Sequence, residues 1–224
     1  MFHSLSPLHK KLLILLAIVL IGVGLFLLMR PDPVSGVPEP KPTADISQEV
    51  MAKLVSSEAP TDGPSTAKVT VTEFLDYQCE GCAQFQPVMD SVRAAYAGRV
   101  RFVVRHFPLV EGHPFSKGAA IAATCAGRQG SFFPYSTTLF AHQDALARVD
   151  LERYAADAGL DAAAFTACLD DASVAELVMN DRVQGQELGV RQTPSIFIND
   201  AMLSGIPSEE EFRSLIEGTM GEER

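Results

Sequence analysis

Residues 69–82 read VTVTEFLDYQCEGC, and this stretch decides both the fold and the chemistry of the chain. Its first half alternates and is rich in β-branched residues, which predicts a strand. From Cys82 onward, apolar residues recur at helical spacing as far as Gly98, which predicts a helix. Cys79 and Cys82 therefore lie where the strand passes into the helix. Backbone N–H groups and the partial positive charge of a helix N-terminus favour the thiolate, the nucleophilic form of cysteine.

The spacing of the two cysteines permits disulfide exchange. Two residues separate Cys79 from Cys82, so a mixed disulfide formed at the first can be resolved by the second. Half of a zinc site or a local structural disulfide has the same spacing, and the motif alone leaves these alternatives open. The remaining cysteines, Cys125 and Cys168, stand far apart and do not form the second close ligand pair of a zinc ribbon. The pattern favours redox chemistry and predicts no metal.

A long apolar segment lies near the N-terminus. Residues 12–29 are uncharged and are long enough as a helix to span a hydrocarbon core of about 30 Å. Lys10 and Lys11 precede this segment, so the positive-inside rule places residues 1–11 in the cytoplasm and the rest of the chain outside. We predict an uncleaved transmembrane anchor in the cell membrane. Cleavage after Val34-Ser35-Gly36, as in a signal peptide, is the alternative.

The composition divides the remaining chain into a linker and one domain. Residues 30–66 are rich in proline, serine and acidic residues, which is typical of an extended spacer. Between Ile46 and Val55, however, apolar residues recur at helical spacing, so a short helix and a solvated linker are both consistent with the sequence. Residues 67–224 are sufficient for one hydrophobic core. The formal net charge of −10 argues against nucleic acid as a partner.

The domain shows a strand-helix-strand pattern, a long helical part and a final hairpin. Residues 100–104 alternate and predict a second strand, parallel to the first in a βαβ unit. Residues from about 115 to 188 show helical patterns. Residues 195–198 predict another strand, which pairs with residues 201–204 through a turn. A last helix begins with a capping box at Ser208. The apolar residues that this helix should bury are Phe212, Leu215 and Ile216.

Three segments of the chain resemble the DsbA-like branch of the thioredoxin superfamily: residues 71–82, residues 105–109 (RHFPL) and residues 189–199 (GVRQTPSIFIN). The resemblance covers essentially all of residues 67–224. It implies a thioredoxin-like α/β fold with a helical insertion, preceded here by one transmembrane helix. It also implies thiol:disulfide exchange with Cys79 as the nucleophile and Cys82 as the resolving thiol, without a cofactor.

The resemblance extends to two further site elements. It implies a cis peptide bond at Thr193-Pro194 that leaves the backbone of Thr193 free to pair with substrate, whereas an ordinary trans proline is the alternative. Glu73 occupies the place of a buried carboxylate beneath the disulfide in this superfamily. Glu73 also shares a strand face with apolar residues, so its pKa should be raised and it could shuttle a proton for Cys82. A Glu73 side chain that reaches solvent is the alternative.

The second pair of cysteines lies within the predicted helical insertion. Cys125 falls in an alanine-rich helix and Cys168 in a later one. Outside the cytoplasm the environment is oxidising, which favours a structural Cys125–Cys168 disulfide. Two free buried cysteines that act as small apolar side chains are the alternative.

The sequence thus predicts an extracytoplasmic thiol:disulfide oxidoreductase that supports oxidative folding. Its expected partners are cysteine-containing secreted or membrane proteins and a membrane redox partner that recycles the Cys79–Cys82 pair. Glu80 places a negative charge beside Cys79 and should make the pair less oxidising. Two alternatives remain: a disulfide isomerase or reductase fed by a membrane electron donor, and a thiol-based module that delivers copper.

Overall fold

The computed structural model describes residues 43–56 and 58–221. The predicted cytoplasmic segment 1–11, the transmembrane anchor 12–29 and the start of the linker lie outside the described residues. Within the described part of the chain, no helix combines the length and the apolar character needed to cross a bilayer.

The described residues form a mixed α/β fold. The helices are α1 Thr43–Leu54, α2 Glu80–Ala95, α3 Ser116–Arg128, α4 Phe132–Ala141, α5 Arg148–Asp157, α6 Ala162–Leu169, α7 Ala172–Glu187 and α8 Glu209–Gly221. The strands are β1 Thr61–Asp62, β2 Val69–Leu75, β3 Val100–His106, β4 Ser195–Ile198 and β5 Ala201–Met202. Helices α3 to α7 lie together in sequence between β3 and β4 and form the predicted helical insertion.

The five strands form one sheet in the order β1-β3-β2-β4-β5. Strands β2 and β3 are parallel along their whole length, with Val69 opposite Val100 and Leu75 opposite His106, as the βαβ pattern predicts. Strand β4 is antiparallel to β2, and β1 is antiparallel to β3. All residues of β2 are buried, because the strand lies at the centre of the sheet and both of its faces are covered. The C-terminal end of this central strand leads directly to Cys79.

The last helix packs on the sheet with a narrower face than its sequence pattern suggests. The capping box is present, since the backbone N–H of Ser208 donates to Glu211 Oε2 at 2.8 Å. Phe212 and Ile216, one turn apart, are fully buried. Leu215 is 45% exposed, so the prediction that it is buried is wrong. Its position beside this row turns it away from the sheet and toward a surface groove, which is lined by residues 202–207, Glu210, Glu211, Ser214 and Leu215 itself.

The folded unit begins at Thr43, well before the predicted start at residue 67. The apolar residues near the end of α1 form a buried face, and Leu54 packs at 0% exposure with Phe74, Phe107 and neighbouring side chains. The buried guanidinium of Arg105 donates to the backbone carbonyls of Lys53 and Leu54, which satisfies the open C-terminal end of α1. The second half of the segment predicted as a linker therefore belongs to the domain.

Candidate active site

The turn between β2 and α2 carries the two candidate catalytic cysteines. The buried carboxylate of Asp76 accepts hydrogen bonds from the backbone N–H groups of Gln78 and Leu109, each at 2.7 Å. The N–H of Cys79 donates to the carbonyl of Asp76 at 3.1 Å. Cys79 is the N-cap residue of α2, so its side chain lies at the positive end of the helix.

Cys79 is partly exposed and is poised as a thiolate. Its pKa is lowered to about 5, mainly by a hydrogen bond from the Cys82 thiol and further by the backbone N–H groups of Cys82 and Gly81. Partial burial opposes this shift. In its thiol form, Cys79 Sγ donates to the carbonyl oxygen of Thr193 at 3.2 Å. A thiolate this accessible is competent to attack a disulfide at neutral pH.

Cys82 has the opposite environment. It is completely buried, and burial together with the hydrogen bond to Cys79 and the negative charge of Glu73 raises its pKa. The pair therefore combines one nucleophilic thiolate at the surface with one protonated thiol beneath it. This asymmetry suits the predicted roles of Cys79 as the attacking sulfur and Cys82 as the resolving sulfur.

Glu73 lies in the central strand beneath the cysteines and does not reach solvent, since it is only 2% exposed. Among the described residues, its Oε1 has no hydrogen-bond partner. Burial, with a smaller contribution from the charge of Asp90, raises the pKa of Glu73 to about 8. A carboxyl group with a pKa near neutrality can release and take up a proton during exchange, as the sequence suggested for the Cys82 thiol.

Glu73→Gln is expected to change how stability depends on pH. The unfolded carboxyl ionises near 4.5 and the folded one near 8, so the unfolded state of the wild type loses its proton first as the pH rises. As the pH rises between these two values, the free energy of unfolding of the wild type should fall by on the order of a few kcal/mol because of Glu73. The variant lacks this carboxyl group and should not show that fall. Urea unfolding of both proteins at pH 4.5 and pH 8 measures the difference. Equal pH dependence in the two proteins would contradict a protonated buried Glu73.

The Thr193-Pro194 peptide bond is cis, as the resemblance implied. A Cβ placed on Gly81 would lie 3.4 Å from Pro194 Cδ and 3.8 Å from Cys79 Sγ, so this proline packs directly over the Cys-Glu-Gly-Cys turn. The absence of a side chain at position 81 keeps this space open. The Thr193 carbonyl lies 3.2 Å from the Cys79 sulfur, so the loop with the cis bond and the cysteine turn form one site.

Cys125 and Cys168 form a disulfide with an S–S distance of 2.05 Å. It joins helix α3 to helix α6 within the helical insertion. Cys125 is buried at 1% exposure, and the Arg128 guanidinium lies 3.9 Å from the sulfur of Cys168. The predicted Cys125–Cys168 disulfide is therefore present, whereas Cys79 and Cys82 are free thiols in this structure.

Sequence reasoning missed three groups near the active-site turn. Asp76 anchors the turn and also contacts His113 Nδ1 at 2.9 Å. Gln143, in the helical insertion, donates to two carbonyls of the turn. His106 is fully buried, and burial lowers its pKa to about 4, so it is neutral at physiological pH. Of these three groups, only Asp76 could have been found from the sequence, because an Asp at the end of a strand commonly accepts hydrogen bonds from nearby backbone N–H groups.

The described residues contain no cluster of His, Cys, Asp and Glu suited to a metal ion.

Comparisons with known proteins agree with this fold. A family model described as thioredoxin matches residues 56–218. A thioredoxin-like oxidoreductase from Silicibacter pomeroyi DSS-3 superimposes with a TM-score of 0.66 at 26% identity, covering 75% of this chain and 95% of that one. Wolbachia pipientis alpha-DsbA1 gives a TM-score of 0.66 at 23% identity over 75% of this chain and 94% of its own, a likeness of fold.

A similar segment also occurs in larger proteins. A Na⁺/H⁺ antiporter NhaA from Herminiimonas arsenicoxydans is 38% identical over 143 residues, which are 64% of this chain but 22% of the antiporter. The chain thus spans about a fifth of this relative. With the family match over most of the domain, and with a disulfide-capable cysteine pair at the start of α2, the chain belongs to the thioredoxin family.

Proposed function

We propose that this chain is an extracytoplasmic thiol:disulfide oxidoreductase that oxidises cysteine pairs in secreted or membrane proteins. The thioredoxin-like fold, the DsbA-like structural neighbours and the cysteine pair point to thiol–disulfide oxidoreductase activity. The observation that carries the direction of the proposal is the lowered pKa of Cys79. A stabilised thiolate favours the reduced form of the pair, and a pair whose reduced form is stable is a strong oxidant.

The proposed cycle needs only thiols. A substrate thiolate attacks the Cys79 sulfur of the oxidised pair, the Cys79–Cys82 bond breaks, and Cys82 leaves and takes up a proton. The second thiolate of the substrate then attacks the substrate sulfur that is bonded to Cys79. The substrate disulfide forms, and Cys79 is released as a thiolate. The substrate gains one disulfide, and two electrons pass to the cysteine pair. Glu73, buried beneath Cys82, is the proposed proton donor and acceptor for the leaving thiol.

The proposal includes a location at the membrane. The apolar segment 12–29 would anchor the chain, with the catalytic domain outside the cytoplasm. Recycling would then need a membrane redox partner that accepts the two electrons.

The deciding experiment measures the reduction potential of the Cys79–Cys82 pair in glutathione buffers. We expect a value above about −180 mV, in the range of oxidants, even though Glu80 adds a negative charge beside the nucleophile. A value near −270 mV, typical of thioredoxin, would overturn the oxidase direction and favour the reductase alternative. Titration of the same reduced sample with Cu(I) tests the metal-delivery alternative, for which we expect no stoichiometric binding.

A further inference from the structure

Gln143 connects the helical insertion to the active-site turn. It lies in the loop between α4 and α5, and its side-chain nitrogen donates to the carbonyl oxygen of Tyr77 at 2.7 Å and to that of Cys79 at 3.0 Å. These two carbonyls belong to the turn that precedes α2. A single amide group therefore bridges two backbone positions on either side of Gln78.

The loop that carries Gln143 is itself held in place. The His142 ring nitrogen Nδ1 lies 2.9 Å from the carbonyl of Thr138, and this ring packs against Tyr154 with ring centroids 5.0 Å apart. The Tyr154 hydroxyl donates to the carbonyl of Ala145 at 3.0 Å. The backbone on both sides of Gln143 is thus fixed by the insertion, so the amide is preorganised for its two acceptors.

The Cys79 carbonyl also takes part in the first turn of α2. It accepts from the backbone N–H groups of Cys82 and Ala83 at 3.1 and 3.2 Å. The N–H groups of Cys82 and Gly81 in this same turn help to stabilise the Cys79 thiolate. The bond from Gln143 fixes the peptide plane between Cys79 and Glu80, and with it the direction of these N–H groups relative to the sulfur.

We propose that Gln143 is a positioning residue for thiol–disulfide exchange, which holds the turn bearing Cys79 in its reactive geometry by bridging the carbonyls of Tyr77 and Cys79. The catalytic importance of this role rests on the proposed function. Gln143 touches neither sulfur and acts through the backbone of the turn. The Cys82 thiol and the Thr193 carbonyl also contact the Cys79 sulfur, and both remain in a Gln143 variant.

The test compares Gln143→Leu with a matched control, Gln129→Leu. Gln129 also ties two segments of the insertion through its amide, because it donates to the carbonyl of Asp161 at 3.3 Å and accepts from the Asp161 N–H at 2.8 Å. Gln129 makes no contact with the active-site turn. Gln143→Glu is a second variant, since it keeps the length of the side chain but replaces both donors with acceptors. The rate of Cys79 alkylation by iodoacetamide is measured from pH 4 to pH 9 on each reduced full-length protein.

Gln143→Leu should react about two- to threefold more slowly than the wild type at pH 5 and at nearly the same rate at pH 8.5, because a misaligned turn stabilises the thiolate less. Gln143→Glu should show at least as large a loss at pH 5, and Gln129→Leu should follow the wild type. Wild-type pH profiles for both Gln143 variants, with only a lowered melting temperature, would overturn the proposal and leave Gln143 a structural tie.

The readout separates this proposal from the proposed function. Alkylation needs only the thiol at position 79 and no protein substrate. If the wild type fails to oxidise a reduced test protein, the proposed function fails, and the alkylation profiles still decide the role of Gln143. If exchange is active, turnover of that substrate should fall in Gln143→Leu and stay unchanged in Gln129→Leu.

Discussion

Replacement of Cys79 by alanine should abolish disulfide exchange, whereas replacement of Cys82 by alanine should trap the enzyme on its substrate. Only Cys79 combines exposure with a pKa lowered to about 5, so its loss removes the reactive sulfur. When Cys79 attacks a substrate disulfide, a variant without Cys82 has no second enzyme thiol with which to resolve the mixed disulfide. Non-reducing gels and mass spectrometry, after incubation with an oxidised test protein, should show covalent adducts for Cys82→Ala and none for Cys79→Ala.

The same variants test the electrostatics of the site. The hydrogen bond from the Cys82 thiol is the largest cause of the low Cys79 pKa, so Cys82→Ala should shift the alkylation midpoint of Cys79 to higher pH. Faster labelling of Cys82 than of Cys79 at mildly acidic pH in the wild type would reverse the assigned roles. An unchanged midpoint in Cys82→Ala would show that the Cys82 thiol does not lower the pKa of Cys79.

The double substitution Cys125→Ala and Cys168→Ala should lower the free energy of unfolding by about 4 kcal/mol on the chain-entropy account of disulfides. The two cysteines are 43 positions apart, so the bond restricts a long loop of the unfolded chain. The measurement is urea unfolding in a background with alanine at both 79 and 82, where this disulfide is the remaining one. When the same double substitution is made in the wild-type background, where Cys79 and Cys82 are present, the folded variant should keep its exchange activity.

Two results would contradict the structural role of the second disulfide. One is a loss of less than about 1 kcal/mol in that comparison. The other is the detection of free thiols at positions 125 and 168 in protein taken from its native compartment. A mild reductant offers a further check. It should open the Cys79–Cys82 pair before the Cys125–Cys168 bond, because the stabilised Cys79 thiolate favours the reduced form of the first pair.

The sequence could predict those features that depend on local patterns. Strand alternation and helical spacing around Cys79 predict the order of β2, α2 and β3. The parallel pairing follows because the connecting helix returns the chain to the end of the sheet at which β2 begins. The same alternation placed Glu73 on an apolar face. The redox chemistry of the cysteine pair could also be predicted from the sequence, because the Cys-x-x-Cys motif lies within a single turn of helix.

Features that depend on contacts between distant segments could not be predicted. The spacing of apolar residues showed that α1 could form, but its docking depends on Arg105, which lies about 50 positions later and donates to backbone carbonyls that carry no sequence signal. Gln143 is one of three successive polar residues in a loop, and its acceptors are also backbone atoms. The prediction that Leu215 is buried was wrong for a related reason. Helical spacing shows which face of a helix is apolar, but it does not show how much of that face the sheet covers.

The order of strands has a consequence for behaviour in crowded solution. Both edges of the sheet, β1 and β5, are only two residues long, and the N–H of Val104 in the next strand is taken by the carbonyl of Pro60. Long unpaired edges are the usual templates for aggregation, because a neighbouring chain can add to them by backbone hydrogen bonds. This sheet offers very short templates. Short edges of this kind protect the chain from co-aggregating, through its own sheet, with the partly unfolded polypeptides that are its proposed substrates.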